Sequence, residues 1–339
     1  MSEIDAVLDA ARRFRESGEP VALATVVSVR GSSYRRPGAR LLVPRQSMPV
    51  GIISGGCLED EAARLARSAI EEDVPLLVTI DHSAEGDELW GMGLGCRGVL
   101  ELLAEPPNLA AETLDALADA RREQRPTYQL TGLDGTRRRL SATEAATLGE
   151  RAVLAVAHGR PAVIGESVLD PILPPLHLVV CGAGPDAGPL VAAGIRQGWR
   201  VDVADSRRSW LREDRFPGAR LVDAEPTDVA ERVDAGEWTA VVVMSHDYHR
   251  DAACLAGFLG RGAAYLGVLG PRDRTERLLA ELPASPSDAD LAVLRAPAGL
   301  DIGADGAEQV ATSIVAEIIA TLHGRSGGSL RDRSGPIHS

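Results

Sequence analysis

The sequence predicts an α/β protein, with an N-terminal α+β domain followed by a Rossmann-like parallel-sheet domain. Three observations carry this. Beyond residue 176 short apolar runs alternate with helical segments, the pattern of parallel βαβ units. The first of those runs opens directly into a G-x-G-x-x-A turn. In the first half, strand-like runs do not alternate cleanly with helices, and 339 residues suit two separate cores.

In chain order, residues 2–17 read as an amphipathic helix and 21–29 as a β-branched strand. A Gly/Ser/Arg loop at 31–38 precedes strands at 39–43 and 50–53. Helical spacing of Leu58, Ala62, Leu65 and Ala69 marks a helix over 58–71. Strands at 76–80 and 99–103 flank a glycine-rich loop, a helix covers 109–122, and weaker β signals lie at 128–130 and 152–155. The Pro-rich stretch 169–175 reads as a linker or domain entry. Thereafter strands are expected at 178–181, 200–204, 239–244 and 265–269, and helices at 186–197, 274–281 and 307–322. The domain boundaries are therefore 1–168 and 176–323, with a polar tail at 324–339.

Composition narrows the function. All 36 basic residues are arginine, and the absence of lysine removes P-loop nucleotidases, pyridoxal enzymes and Tyr–Lys reductases. A net charge of −13 opposes nucleic-acid binding. No long apolar run or signal sequence is visible, so no membrane span is expected. The four cysteines (Cys57, Cys96, Cys181 and Cys254) are far apart and form no C-x-x-C pair. A reducing cytoplasm fits them better than a disulfide framework.

Three constellations carry chemistry. In the turn of Cys181, Gly182, Ala183, Gly184, Pro185, Asp186 and Ala187, Gly182 allows a tight bend and Gly184 a close approach to phosphate. Asp205, at the end of the next strand, stands where an acid holds a ribose hydroxyl. Pro185, which removes an amide donor, and the negative Asp186 favour the competing reading of a turn kept for packing. The second constellation is a pair of loops in the first domain. One carries Gly55, Gly56 and Cys57 ahead of a helix, where the dipole lowers a thiol pKa and backbone amides cradle an anion. The other carries Gly95, Cys96 and Arg97. With Arg35, Arg36 and Arg40 these loops are expected to form a small anion site; the plain alternative is two buried structural cysteines. The third is the segment from Ser245 to Asp251, where His246 and Asp251 follow a strand and are placed to contact a ligand. Arg272, after a further glycine turn, is placed to neutralise a phosphate.

The strings RGSSYRRPGARLLV, GIISGGCLEDE and GMGLGCRGVLELLAEP resemble the N-terminal domain of the XdhC/CoxI family. The strings VVCGAGPDAGPLVAAGIRQGWRVDVADSR, SHDYHRD, YLGVLGPR and GLDIGADGAEQVATSIVAEIIA resemble its Rossmann domain. The resemblance implies an accessory protein of molybdenum hydroxylases, a maturation factor rather than an enzyme. It implies binding of molybdenum cofactor (molybdopterin or its dinucleotide form), support of its sulfuration, and delivery to an apo hydroxylase of the xanthine dehydrogenase type. A cysteine desulfurase or sulfurase is then a second partner, and two glycine-rich domains allow a homodimer. Cys57 and Cys96, as possible molybdenum contacts, and Gly182, Gly184, His246 and Asp251 carry over residue by residue. Pro185 stands where many members have His, and His249 sits one place later than the common pattern, so it is given no role. Two other readings remain: an NAD(P)-dependent oxidoreductase using the Rossmann domain, and a thiol-based sulfur-transfer or redox enzyme.

Overall fold

The computed structural model describes residues 3–31, 34–56, 58–81, 98–282 and 285–334. They fall into two compact units, divided between Pro174 and Pro175.

The first unit opens with α1 (Glu3–Ser17), β1 (Val21–Gly31), β2 (Arg40–Pro44), β3 (Val50–Gly51), α2 (Glu59–Glu72), β4 (Leu76–Asp81), β5 (Gly98–Glu105) and α3 (Pro107–Glu123). Its strands form an antiparallel sheet in the order β3-β2-β1-β5-β4. The central strand β1 is buried on both faces. Ala22, Ala24 and Val26 pack in the core that holds α2, whereas Leu23 lies with Val7 of α1 and Leu114 of α3. Burial on both faces is why this strand reads as a continuous apolar run rather than an alternating one.

A second, four-stranded sheet in the same unit comes from β6 (Thr127–Gly132), β7 (Arg137–Leu140), α4 (Ala142–Ala146), α5 (Glu150–His158), β8 (Ala162–Ile164) and β9 (Ser167–Ile172), in the order β7-β6-β9-β8. Two expectations are corrected here. Residues 152–155 are helical, because Ala152 and Ala155 share a buried face three residues apart while Val153 and Leu154 face solvent. The stretch 169–175 is not simply a linker, since β9 pairs with β6 through Ile172. Its Pro171 lies beyond the last β8 pair, where the strand has an open edge.

A polar cluster is buried in this unit. Arg40 forms a two-pronged ion pair with Asp170 (2.8 and 3.1 Å) and donates to Thr25 (2.8 Å). Arg137 pairs with Glu105 and also donates to Thr113 (2.8 Å) and Gln129 (2.9 Å). Burial pushes the Glu105 carboxyl up to about 7, against the pull of the Arg137 charge.

The second unit contains β10 (His177–Cys181), α6 (Ala187–Arg196), β11 (Arg200–Asp205), β12 (Arg220–Asp223), α7 (Val229–Arg232), β13 (Thr239–Val243), α8 (Tyr248–Phe258), β14 (Tyr265–Val268), α9 (Arg272–Ala280), α10 (Asp288–Val293), β15 (Leu294–Arg295) and α11 (Ala307–Leu322). All six strands are parallel, in the order β12-β11-β10-β13-β14-β15. That is the Rossmann order, with the topological reversal between β10 and β13. Leu178 and Val180 face a core with Leu190 of α6 and Ile314 of α11. Val179 and Cys181 face Leu255 of α8 and Leu278 of α9 on the other side. Each fully buried Leu, Ile or Val contributes roughly 1.5–3 kcal/mol. Among the described residues no helix is long and apolar enough to cross a membrane.

Candidate functional site

The reversal between β10 and β13 marks the place, at the strands' carboxyl ends, where open α/β sheets take ligands in a crevice. The glycine turn lies there. Gly182 has φ +122°, and its amide donates to the Ala204 carbonyl (2.9 Å). A Cβ on it would stand 2.6 Å from Ser245 Cα and 2.8 Å from the Met244 carbonyl oxygen, so no side chain fits. Gly184 differs, because an added Cβ would collide only with Asp186 Oδ1, at 2.7 Å. The Asp186 carboxylate therefore sits over Gly184, in the room a phosphate would use. It precedes α6 without bonding the helix amides. Its Oδ2 lies 2.6 Å from His246 Nε2, and its Oδ1 is buried with no partner among the described residues. The amides of Gly184 and Asp186 likewise have no acceptor among the described residues. His246 holds a left-handed backbone (φ +61°), uncommon for a residue other than glycine.

Around this turn the charges are organised by arginine. Asp205 accepts from the amides of Ala183 (2.8 Å) and Arg207 (2.9 Å), from the Arg207 guanidinium (2.7 and 2.9 Å) and from Arg250 (3.3 Å). Burial alone would raise its pKa; the Arg207 side chain and these amides outweigh that and lower it. Both oxygens are thus engaged before any ribose could reach them, and Asp205 serves to brace the turn. Arg215 grips the turn from another side, donating to the carbonyls of Ala183 (2.9 Å), Gly184 (3.1 Å) and Trp210 (2.6 Å).

Asp251 also differs from the expectation of ligand contact. It lies in α8 rather than on a loop and is fully buried. One oxygen accepts from the Ser245 amide (3.0 Å) and hydroxyl (2.6 Å), and the other pairs with Arg274 (2.7 Å). Arg272 is exposed at the start of α9; its neighbour Arg274 makes the buried pair. Cys181 and Cys254 are buried free thiols, and the Cys254 contact and burial push the Cys181 thiol up, the state of an unreactive core cysteine.

In the first unit, Gly55 and Gly56 do point their amides at an anion, but it is an internal one. The Glu59 carboxylate accepts from the amides of Ile53 (3.1 Å), Ser54 (2.8 Å), Gly55 (3.1 Å), Gly56 (2.9 Å) and Leu58 (3.2 Å), and from the Ser54 hydroxyl (2.5 Å). Burial works to raise its pKa, yet the Ser54 hydroxyl and these amides prevail and hold it at about 2. Cys57, Gly95, Cys96 and Arg97 lie outside the described residues. Arg40 is committed to Asp170 and Arg35 to Glu3 (2.6 Å), so neither is free for an anion. No group of three His, Cys, Asp or Glu side chains that could hold a metal occurs among the described residues.

Sequence reasoning missed Glu59, Arg207, Arg215 and Arg250. An acid three residues after a Gly-Gly pair and an Asp at 247 capping α8 (3.0 Å to the Arg250 amide) are signals that could have revealed the nest and the helix.

The site defines a Rossmann-type α/β unit with a glycine turn at its switch point. The description "XdhC Rossmann domain" matches residues 178–318, and "XdhC and CoxI family" matches residues 14–81. The chain belongs to the XdhC/CoxI family. It is 29% identical over 333 residues to a probable xanthine dehydrogenase subunit of Bacillus subtilis, covering 95% of this chain and 98% of that one. It is 24% identical over 314 residues to "Molybdenum cofactor insertion chaperone PaoD" of Escherichia coli, covering 91% and 85%. A crystal structure described as a xanthine dehydrogenase from Bacillus halodurans superposes with a TM-score of 0.75 at 29% identity, covering 97% of this chain and 98% of that one.

Proposed function

We propose that this protein is a cytoplasmic accessory chaperone. It binds molybdenum cofactor, supports its sulfuration and delivers it to a xanthine dehydrogenase-type molybdenum hydroxylase. The observation that carries this reading is the turn at the Rossmann switch point, where the amides of Gly184 and Asp186 lack acceptors among the described residues. The cargo's phosphate would take those amides, with Arg207 and Arg250 supplying positive charge nearby and His246 turning from Asp186 to the anion. Likeness to a cofactor insertion chaperone and to a probable xanthine dehydrogenase component supports the nature of the cargo. In the first unit, the thiols of Cys57 and Cys96 suit a molybdenum or sulfur contact, with a cysteine desulfurase or sulfurase as sulfur donor. A homodimer belongs to the same reading.

An NAD(P)-dependent oxidoreductase is less well supported. Binding the ribose at Asp205 would require that residue to give up Arg207 or the Ala183 amide.

The test is binding of molybdenum cofactor to the full chain, scored by pterin fluorescence after acid oxidation and by molybdenum content. Stoichiometric binding that weakens in Cys57→Ser and Cys96→Ser is the expected result. Absence of binding by folded wild type, with binding of a nicotinamide nucleotide, would overturn the proposal.

A further inference from the structure

Between β11 and β12 the chain holds an indole beside the glycine turn. The Trp210 amide donates to the Arg207 carbonyl (2.8 Å), and its own carbonyl accepts from Arg215 Nη1 (2.6 Å). The same nitrogen reaches the Ala183 carbonyl (2.9 Å), so Trp210 and the turn lie on either side of one guanidinium nitrogen. The carbons of the Arg207 and Arg215 guanidinium groups lie 5.5 and 5.0 Å from the Trp210 ring centre. Neither arginine is loose: Asp205 fixes the first and three carbonyls fix the second. Arg215 also lies 5.0 Å from the ring of Phe216, which is buried and anchors the loop.

The plain account of Trp210 is a cation–π contact that steadies two arginines. That account leaves its exposure unexplained. Trp210 keeps 36% of its surface open, whereas the nearby Phe216 keeps 1%. An exposed, immobilised aromatic ring at the carboxyl end of β11 is what a planar ligand group needs. Its open surface gives a planar group an aromatic contact at little cost in side-chain freedom.

We propose that Trp210 is a base-stacking platform, and that the ligand of this crevice is a nucleoside 5′-phosphate group with its phosphate at the 182–186 turn and its base on the indole. This rests on the phosphate reading above and narrows it to the dinucleotide form of the cofactor, which carries a nucleobase. Asp205 supports the assignment by exclusion. With both its oxygens engaged it cannot grip the ribose diol, so the hold on the nucleoside falls to the ring and to Arg207 Nη1, which Asp205 does not use.

The experiment is calorimetric titration of the full chain with CMP, GMP, AMP and inorganic phosphate, in wild type, Trp210→Ala and Trp210→Phe. At least one nucleotide is expected to bind wild type at least roughly tenfold more tightly than inorganic phosphate, a margin within what one stacked base contributes. Trp210→Ala should erase that margin and leave inorganic phosphate binding unchanged, while Trp210→Phe keeps most of it. Equal binding of nucleotides and phosphate, or a margin that survives in Trp210→Ala, overturns the platform and leaves the phosphate site standing. If no phosphate compound binds wild type, both fall. Should Trp210→Ala fail to fold, the wild-type margin together with Trp210→Phe decides.

Discussion

Each unit of this protein has a glycine-rich loop with an acid close by, and the two loops end in different states. Around Glu59 five amides and a hydroxyl converge on one carboxylate, and the nest is full. Around Asp186 no described amide reaches the carboxylate; a single contact to an exposed His246 holds it, and one oxygen has no partner among the described residues. Glycine density is similar in both. What decides whether a loop of amides can receive a ligand is the acid that follows it, and of these two loops the Rossmann turn is the one that leaves donors unassigned.

The comparison is broken most severely at Gly182. Gly182→Ala combines a backbone clash with φ +122° and is expected to cost roughly 3–5 kcal/mol, read by urea unfolding. Gly184→Ala meets only the end of the Asp186 side chain and should cost far less. Equal losses at the two positions would show that the turn is rigid throughout.

Glu105 sharpens the contrast between acids whose donors outweigh burial and acids whose donors do not. Its folded pKa of about 7 lies above the ordinary 4.5, so the folded chain holds a proton the unfolded chain releases. Stability contributed by this group is complete below pH 4.5 and is lost as pH rises through 7, by roughly 3 kcal/mol. Glu105→Gln should flatten that part of the stability–pH curve, and an unchanged slope would refute the assignment.

Glu59 has the opposite sign. Its folded pKa of about 2 lies below 4.5, so its stabilisation is present above pH 4.5 and lost as pH falls toward 2. Discounted for its partial exposure, this amounts to roughly 1–2 kcal/mol. Glu59→Ala, which leaves the amides without an acceptor, should cost about 2 kcal/mol by thermal melting. Asp186→Asn closes the series. Its effect on stability is expected to be under about 0.5 kcal/mol, while affinity for inorganic phosphate rises severalfold because the competing carboxylate is neutralised.

Much of the Rossmann unit was legible because local signals agree there: an apolar strand, a glycine turn, a helix and a terminal acid follow one another within about thirty residues. The first unit was less so. Pro171 and its proline neighbours masked β9, whose strand character comes from pairing with β6, roughly forty residues earlier in the chain. Val153 and Leu154 imitated a strand because their β-branched and apolar character does not reveal that they face solvent. In the site, residue types were readable and their commitments were not. Asp205 and Asp251 look like ligand contacts until the arginines that occupy them, from 2 to 45 residues away in sequence, are in position.

Asp251 also ties the crevice to a distant part of the fold. One of its oxygens holds Ser245, the residue before His246, and the other holds Arg274 in the first turn of α9. The loop that bears His246 and the α9 helix are thereby fastened to a single buried lever. A ligand that moves His246 is then expected to disturb α9, and a fluorophore at the exposed position 277 tests that coupling without touching the glycine turn itself.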